Sequence, residues 1–446
     1  FPIFTQRGRL PGPERTLKMA EDARAEAALK LTEIIVRERT TDQVFGSSPS
    51  VAPLVGEQVF GTLRHYPSLA AVVRKQLQKP LKINDMDIFH LLMIGLYQRH
   101  FTRIPDHAAV NETVAATRQL KKPWARGLVN AILRRAPSPE PSFEHPDWFP
   151  KALGLGLRSH AAEIMTANNA RAPMALRVNL GKISVVDFVA QLEGAAMVGH
   201  SAGPEHDQTS SWGPETLILE APVPSRLLPG FKEGLVSIQD AGAQLLPAVM
   251  LSGGVQPQGT LLDACAAPGG KLFHLLERFQ DLDITAIDRS ARRMETLELE
   301  SRRLGTRPFK SLVADALSDD WWDEAPYDHI LLDAPCSGSG TIRRHPEIKL
   351  LRRKESLPAY AASQLGLLKR LWPKLKQGGS LIYCTCSLFE IENDTVIESF
   401  LLETPNASPG ALHLSSGTAT RFGWQLVPTD PRTDGFYFSR LTKVDA

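Results

Sequence analysis

From residue 259 onward, short apolar runs alternate with longer stretches whose apolar positions recur every three to four residues. Thr260–Leu262, Ile284–Ile287, Lys310–Val313, His329–Leu332 and Leu381–Cys384 read as strands. Lys271–Phe279, Ala291–Leu304 and Glu355–Leu375 read as helices, the second closed by Gly305 and the third stopped by Gly378-Gly379. Strands alternating with helices predict a doubly wound α/β domain around a mostly parallel sheet. Ligands of such sheets bind at the carboxyl ends of the strands. Four of the predicted strands run there into an aspartate: Asp263, Asp288, Asp315 and Asp333. A single such aspartate signals only a turn, but four at one edge point to a binding site.

The front of the chain carries a different period. Residues 14–135 read as mostly helical, with Asp85–Phe101, Asn111–Leu120 and Pro123–Arg135 apolar at helical spacing and Pro123 suited to a first turn. Residues 136–146 hold four prolines and predict a linker. Between 147 and 235 the pattern is mixed. Met174–Leu180 reads as a strand, Ser184–Leu192 as a helix and Gly194–Gly213 as a polar loop, which together predict a small α+β module. The expected organisation is therefore a helical domain over 1–145, a connecting module over 147–235 and an α/β domain over 236–446. Gly435–Lys443 reads as a closing strand, and 406–420 gives no pattern.

Composition narrows the function classes. A 446-residue chain with 43% hydrophobic and 22% charged residues has ordinary globular composition. No run of about 18 apolar residues predicts a membrane span, and the first residues lack the apolar core of a secretory signal. The net charge of +2 hides an asymmetry. Residues 1–145 carry 21 Lys and Arg against 14 Asp and Glu, or +7, and the remainder carries −5. A basic front suggests a polyanionic partner. Four cysteines are too few for a disulfide scaffold and suit a reducing cytoplasm. All four, Cys265, Cys336, Cys384 and Cys386, fall in the α/β domain. Cys384 and Cys386 are too closely spaced, and the other two too far apart, for a usual zinc site, so no metal is expected.

Three motifs identify the chemistry. The turn after the first α/β strand is Asp263-Ala-Cys-Ala-Ala-Pro-Gly-Gly-Lys271, without the three-glycine spacing of a dinucleotide fold. It resembles the S-adenosylmethionine loop of RNA cytosine-C5 methyltransferases. Asp333-Ala-Pro-Cys336-Ser-Gly and Thr385-Cys386-Ser387 match that family's two cysteine motifs in order. Pro229-Gly-Phe and Gln239-Asp-Ala-Gly-Ala-Gln244 match its lead-in. Ile342-Arg-Arg-His-Pro-Glu-Ile-Lys349 resembles its bacterial 16S rRNA branch, known as Sun or Fmu (the RsmB family). Ala109-Val-Asn-Glu-Thr-Val and Gly127–Arg135 resemble the NusB-like RNA-binding domain fused to that branch.

The resemblance runs from about residue 15 to the end. It implies a Rossmann-like class I methyltransferase domain and S-adenosylmethionine as cofactor, held by Cys265, Ala266, Ala267, Pro268, Gly269, Gly270 and Lys271 and by Asp288 (ribose), Asp315 (adenine) and Asp333. It implies Cys386 as the nucleophile at cytosine C6 and Cys336 as the thiol that assists elimination. Asp333 is expected at the cytosine N3/N4 edge, where it can also protonate N3. Cys384 is expected to be structural and Cys265 to pack behind the loop. Arg343, Arg344, Lys349, Arg352 and Arg353, with Lys354 beside them, are expected to contact RNA phosphates. The expected partner is 16S rRNA, free or in an early small-subunit particle, and a monomer is expected. A tRNA methyltransferase would share every catalytic motif, but the front domain argues against it. A non-catalytic RNA-binding assembly factor is disfavoured because both motif cysteines are intact.

Overall fold

The computed structural model describes residues 23–46, 53–140, 142, 144–203 and 211–445. Residues 14–22 and 47–52 of the expected helical region, Pro141 and Phe143 of the expected linker, and 204–210 of the expected polar loop lie outside them. The chain forms two compact units. Among the described residues, the first comprises those from 23 to 149 together with Asn168–Ala170 and Ile342–Arg352; the second comprises the rest.

The first unit is helical, with helices at Ala23–Val36, Pro53–Arg64, Tyr66–Gln76, Met86–Phe101, Asp106–Gln119 and Arg126–Arg135 among others. Met86–Phe101 buries eleven consecutive residues, Ile88 to Gln98. A helix apolar around most of its circumference belongs at the centre of a bundle. Leu92, Leu96, Val59, Ile132 and Leu31 share its core. The expected helix at Asn111 begins earlier, at Asp106, after Pro105. Pro123 opens a 3-10 turn rather than the helix itself, which starts at Arg126.

The second unit contains two sheets. The smaller has strands β1 (Met174–Val178), β2 (Gly199–Ser201), β3 (Thr216–Leu219) and β4 (Val236–Ile238), in the order β2-β3-β1-β4 with antiparallel pairing. Helix Val185–Gly194 lies between β1 and β2 in the chain; the Asp187 N–H donates to the Ser184 hydroxyl, which caps it. The expected boundary at 235 falls one residue before β4, so the small sheet reaches past it. Arg177 of β1, almost fully buried, pairs with Glu277 at 2.9 Å and donates to the Gly270 carbonyl at 2.9 Å. Buried His274 meets Glu215 at 3.1 Å. These polar contacts join the small sheet to the helix Gly270–Arg278.

The larger sheet has β5 (Gly259–Asp263), β6 (Leu282–Asp288), β7 (Lys310–Val313), β8 (Tyr327–Asp333), β9 (Leu375–Thr385), β10 (Ala407–Gly410), β11 (Thr418–Ala419), β12 (Trp424–Gln425) and β13 (Tyr437–Lys443). Its order is β11-β12-β13-β9-β8-β5-β6-β7, with β10 also on β13. Strands β5 to β9 are parallel and β13 runs against β9. The chain builds outward through β6 and β7, then returns to add β8 on the other side of β5. Leu262, Ile330, Leu332, Leu381 and Leu368 form the core on one face. Leu261, Leu331, Ile382, Leu272 and Leu297 form the core on the other.

Helix Ala291–Leu304 and strand Lys310–Val313 have the expected bounds, and Gly305 caps the helix in the left-handed region. Two expectations are corrected. Gly378-Gly379 do not stop the preceding helix, which ends at Leu371 before Pro373; they lie inside β9, where the pairing with β8 slips between Tyr327 and His329. The patternless 406–420 contributes β10 and β11, edge strands too short to carry a period of two. No described helix is long and apolar enough to cross a membrane.

Candidate active site

The order of strand addition reverses between β5 and β8, and an open α/β sheet binds its ligands at such a point. Both loops that leave it carry a predicted motif. After β5 the chain turns through Ala264–Gly269 into helix Gly270–Arg278. Gly269 takes φ +106°, and a Cβ there would lie 2.3 Å from the Phe273 ring, so this turn needs glycine. A cavity of about 160 Å³ opens beside it. Its lining includes the Cys265–Pro268 run, Gly270, Lys271, Asp263, Asp333 and Gln239.

At this cavity the buried Gln239 accepts from Arg177 through Oε1 but leaves Nε2 without a partner among the described residues, and the buried Asp263 carboxylate has no side-chain donor there. Burial, and then repulsion from Asp333, push the Asp263 carboxyl up to about 7. Lys271 donates to Asp333 Oδ2 at 2.7 Å, and its ammonium lies 5.5 Å from the Phe436 ring centre. Burial alone would lower the Lys271 ammonium, but the Asp333 carboxylate outweighs it and holds it above the ordinary lysine range.

The loop after β8 is hydrogen-bonded to the end of β9 and the residues that follow it. The Ala334 N–H donates to the Cys384 carbonyl and the Gly340 N–H to the Cys386 carbonyl, each at 2.9 Å. This brings Cys336 and Cys386 together, with their Sγ atoms 3.4 Å apart. Cys384 is fully buried, and its thiol donates to Asp333 Oδ1 at 3.4 Å. Three thiols are pushed up from the ordinary cysteine value. Cys265 and Cys384 rise chiefly by burial, with aspartate charges adding. Cys336 rises by its hydrogen bond with Cys386, then by burial, then by repulsion from Cys386 and Glu392.

Gly340 makes this turn possible. A Cβ there would sit 2.1 Å from the Gly435 carbonyl oxygen, and the Gly435 N–H donates to the Gly340 carbonyl at 2.9 Å. Backbone cannot swing aside as a flexible side chain can. Gly340→Ala is therefore expected to cost about 1–3 kcal/mol of stability, read as a lower thermal midpoint, together with a lower turnover because Cys386 is held by the same turn. An unchanged midpoint would contradict the close packing.

The structure separates the other predicted residues. Asp288, buried at the end of β6, accepts from the Ser290 N–H at 2.9 Å and pairs with Arg293 at 3.1 Å. It does not line the cavity, although its charge acts on Asp263 and Cys265. Asp315 is exposed and accepts from the Leu317 N–H at 2.9 Å, away from this cavity. The basic cluster is not a uniform phosphate-facing surface. Arg343 and Lys349 are each 3% exposed in the first unit. Lys349 donates to the Arg64 carbonyl at 2.7 Å and to Asn169 at 2.6 Å, and Arg64 donates to the Arg343 carbonyl. The Lys349 side chain and the Arg343 main chain tie the 342–352 segment to the helical unit, and both side chains are buried, so the expectation that they contact phosphate is corrected. Arg344 and Arg352 are half-buried and Arg353 is exposed.

Sequence reading missed Gln239 at the cavity and Glu392 beneath the cysteine turns. Gln239 lay inside a quoted motif whose geometry no spacing rule conveys. Glu392 lies six residues past Cys386, with nothing in its neighbourhood to distinguish it from a surface glutamate.

Fold and site define an α/β domain with a small-residue loop cavity and a thiol pair at the switch point of its sheet. The chain belongs to the 16S rRNA methyltransferase RsmB/F family, whose match covers residues 250–442. The NusB family matches residues 21–137, and the ferredoxin-like domain of RsmF/B-like methyltransferases matches 145–226. The chain is 41% identical to the ribosomal RNA small subunit methyltransferase B of Pseudomonas putida, over 88% of this chain and 91% of that protein. It is 38% identical to the probable ribosomal RNA small subunit methyltransferase B of Coxiella burnetii, over 95% of this chain and 99% of that one. The crystal structure of PH0851 shares the fold across 96% of this chain and all of that one, with a TM-score of 0.78 at 22% identity.

Proposed function

We propose that this protein transfers a methyl group from S-adenosylmethionine to C5 of a cytidine in 16S rRNA, through a covalent bond between Cys386 and cytosine C6. The observation that carries this reading is the Cys336–Cys386 pair, 3.4 Å apart, where the loop after β8 meets the turn after β9, with Asp333 at the end of β8 lining the cavity. The cavity residues suit the cofactor. Its methionyl end carries an ammonium and a carboxylate, and the cavity offers the acceptor atoms of Asp263, the donor Nε2 of Gln239 and the Lys271 ammonium. When bound, S-adenosylmethionine supplies a methyl group on a positively charged sulfur, which the activated C5 takes.

The protein's part is covalent catalysis. Cytosine C5 is a poor nucleophile. The Cys386 thiolate adds to C6, the S–C6 bond forms, and the ring electrons become available at C5. Asp333, paired with Lys271, serves as acceptor for the cytosine N4 amino group. After methylation the C5 proton leaves to water, its electron pair restores the C5–C6 double bond, and the S–C6 bond breaks. Cys336, protonated and hydrogen-bonded to the Cys386 sulfur, stabilises the departing thiolate. The target base must be unstacked to admit a thiol at C6, so an open or single-stranded site is expected. The basic helical unit supplies affinity for the flanking RNA, while the pocket selects the base.

Tritium transfer from labelled S-adenosylmethionine tests the substrate. Incorporation is expected into 16S rRNA, free or in partly assembled small subunits, and not into 23S rRNA or tRNA. Label appearing only in tRNA would overturn the rRNA assignment. Bisulfite sequencing of the treated rRNA would then map the modified cytidine.

A further inference from the structure

Glu392 is fully buried, and its carboxylate accepts from four donors. Oε1 accepts from the Ser337 N–H at 2.8 Å and from Gln364 Nε2 at 3.1 Å. Oε2 accepts from the hydroxyls of Ser337 and Ser387, the latter at 2.6 Å. The Gln364 amide also donates to the Pro335 carbonyl at 3.0 Å. Tyr383 donates its hydroxyl to the Glu392 main-chain carbonyl at 2.6 Å. Ser337 follows Cys336 and Ser387 follows Cys386. One carboxylate thus grips the residue next to each thiol.

The charges around the pair are unevenly placed. Glu392 repels a thiolate at Cys336, whereas the Lys271 ammonium interacts with Cys386 and Cys384. Asp333 acts chiefly on Cys384 and Lys271, and Tyr383 is neutral and buried beside Cys336 and Glu392. We propose that Glu392 is a positioning residue that anchors both cysteine turns and, as a buried carboxylate bonded to the backbone and hydroxyl next to Cys336, favours the proton of the thiol pair on Cys336. The inference rests on the covalent reading of Cys386. It assigns the two thiols their different duties through a group that touches neither substrate nor cofactor.

The test uses the full-length protein and residue-resolved mass spectrometry of iodoacetamide labelling across pH, which also separates Cys384 from Cys386. Glu392→Gln keeps an oxygen for Ser337 and Gln364, and the serine hydroxyls can rotate to accept from the new amide. It removes the charge and little else. The pH midpoint of Cys336 labelling is expected to fall by about one unit, and its labelling relative to Cys386 at neutral pH to rise about tenfold. kcat for methyl transfer is expected to fall while KM for S-adenosylmethionine holds.

Ser387→Ala forms the second arm. It loosens the Cys386 turn and leaves the charge, so it should lower kcat without moving the Cys336 midpoint. A Glu392→Gln protein that folds with unchanged labelling profiles would overturn the proposal. So would a Ser387→Ala protein with unchanged kcat, which decides the positioning role even if Glu392→Gln fails to fold. A missing thiol–RNA adduct would instead remove the covalent reading, and the RNA-independent labelling profiles would still decide the proton placement.

Discussion

Replacing Cys386 by Ala is expected to lower methyl transfer at least about a thousandfold, the scale on which an enzyme responds to loss of a nucleophile that carries the covalent step. The fold should tolerate the change. Cys386 is only partly buried, and the turn around it is held by the Gly340 N–H to the Cys386 main-chain carbonyl, which alanine retains. Thermal unfolding should therefore stay near wild type while incorporation of labelled methyl into rRNA disappears. Binding of S-adenosylmethionine should persist, because its proposed contacts lie on the β5 loop and Lys271 rather than on Cys386. Wild-type turnover in this variant would remove Cys386 from the mechanism. Loss of turnover with equal loss of cofactor binding would point to a disturbed site.

Cys336→Ala should behave in the opposite sense. Addition at C6 still has its thiolate, but the departing sulfur loses the S–H that sits 3.4 Å away. The adduct should accumulate as a denaturant-resistant protein–RNA band whose nuclease digestion leaves modified Cys386. Cys384→Ala is the internal control. Its thiol reaches Asp333 rather than the reacting sulfur, so no band is expected. If Cys336→Ala gave no band with RNA and S-adenosylmethionine over many wild-type turnover times, its part in release would be refuted. The double variant Cys336→Ala/Cys386→Ala should give no band at all, which places the bond on Cys386.

Much of this architecture was legible because the catalytic half is locally consistent. Ala291–Leu304 has a serine cap, a helical apolar period and a closing glycine, and it folds with those bounds. The four aspartates fall at or just beyond the carboxyl ends of β5 to β8, because a parallel strand rises to that edge and the chain must turn there. What pattern cannot convey is which side chain turns inward. Lys349 and Arg343 looked like phosphate ligands, but a long basic side chain also packs its stem and satisfies carbonyls at its tip. Burial and the nearby Arg64 charge lower the Lys349 ammonium to about 7, against the pull of Glu144. Glu392 escaped for the converse reason, since an acidic residue in a turn reads as solvated unless its donors are known. The short strands β10 and β12 are set by pairing with β13, and β11 by pairing with β12, and they carry no period of their own.

The segment Ile342–Arg352 leaves the catalytic half directly after the Cys336 loop, is folded within the helical unit, and then returns. Thr41 donates through its N–H and hydroxyl to Glu347 at 3.0 and 2.8 Å, and Leu350 and Leu351 pack on the helical core. The front domain is therefore not a detachable appendage in the genetic sense. A gene fragment starting at residue 150 would encode eleven residues whose apolar partners were left behind. A recombination event that swapped the front domain between relatives would have to exchange this internal stretch as well. The two halves are expected to have been inherited together, with changes in Ile342–Arg352 tracking changes in the helices more closely than those in the neighbouring cysteine motifs.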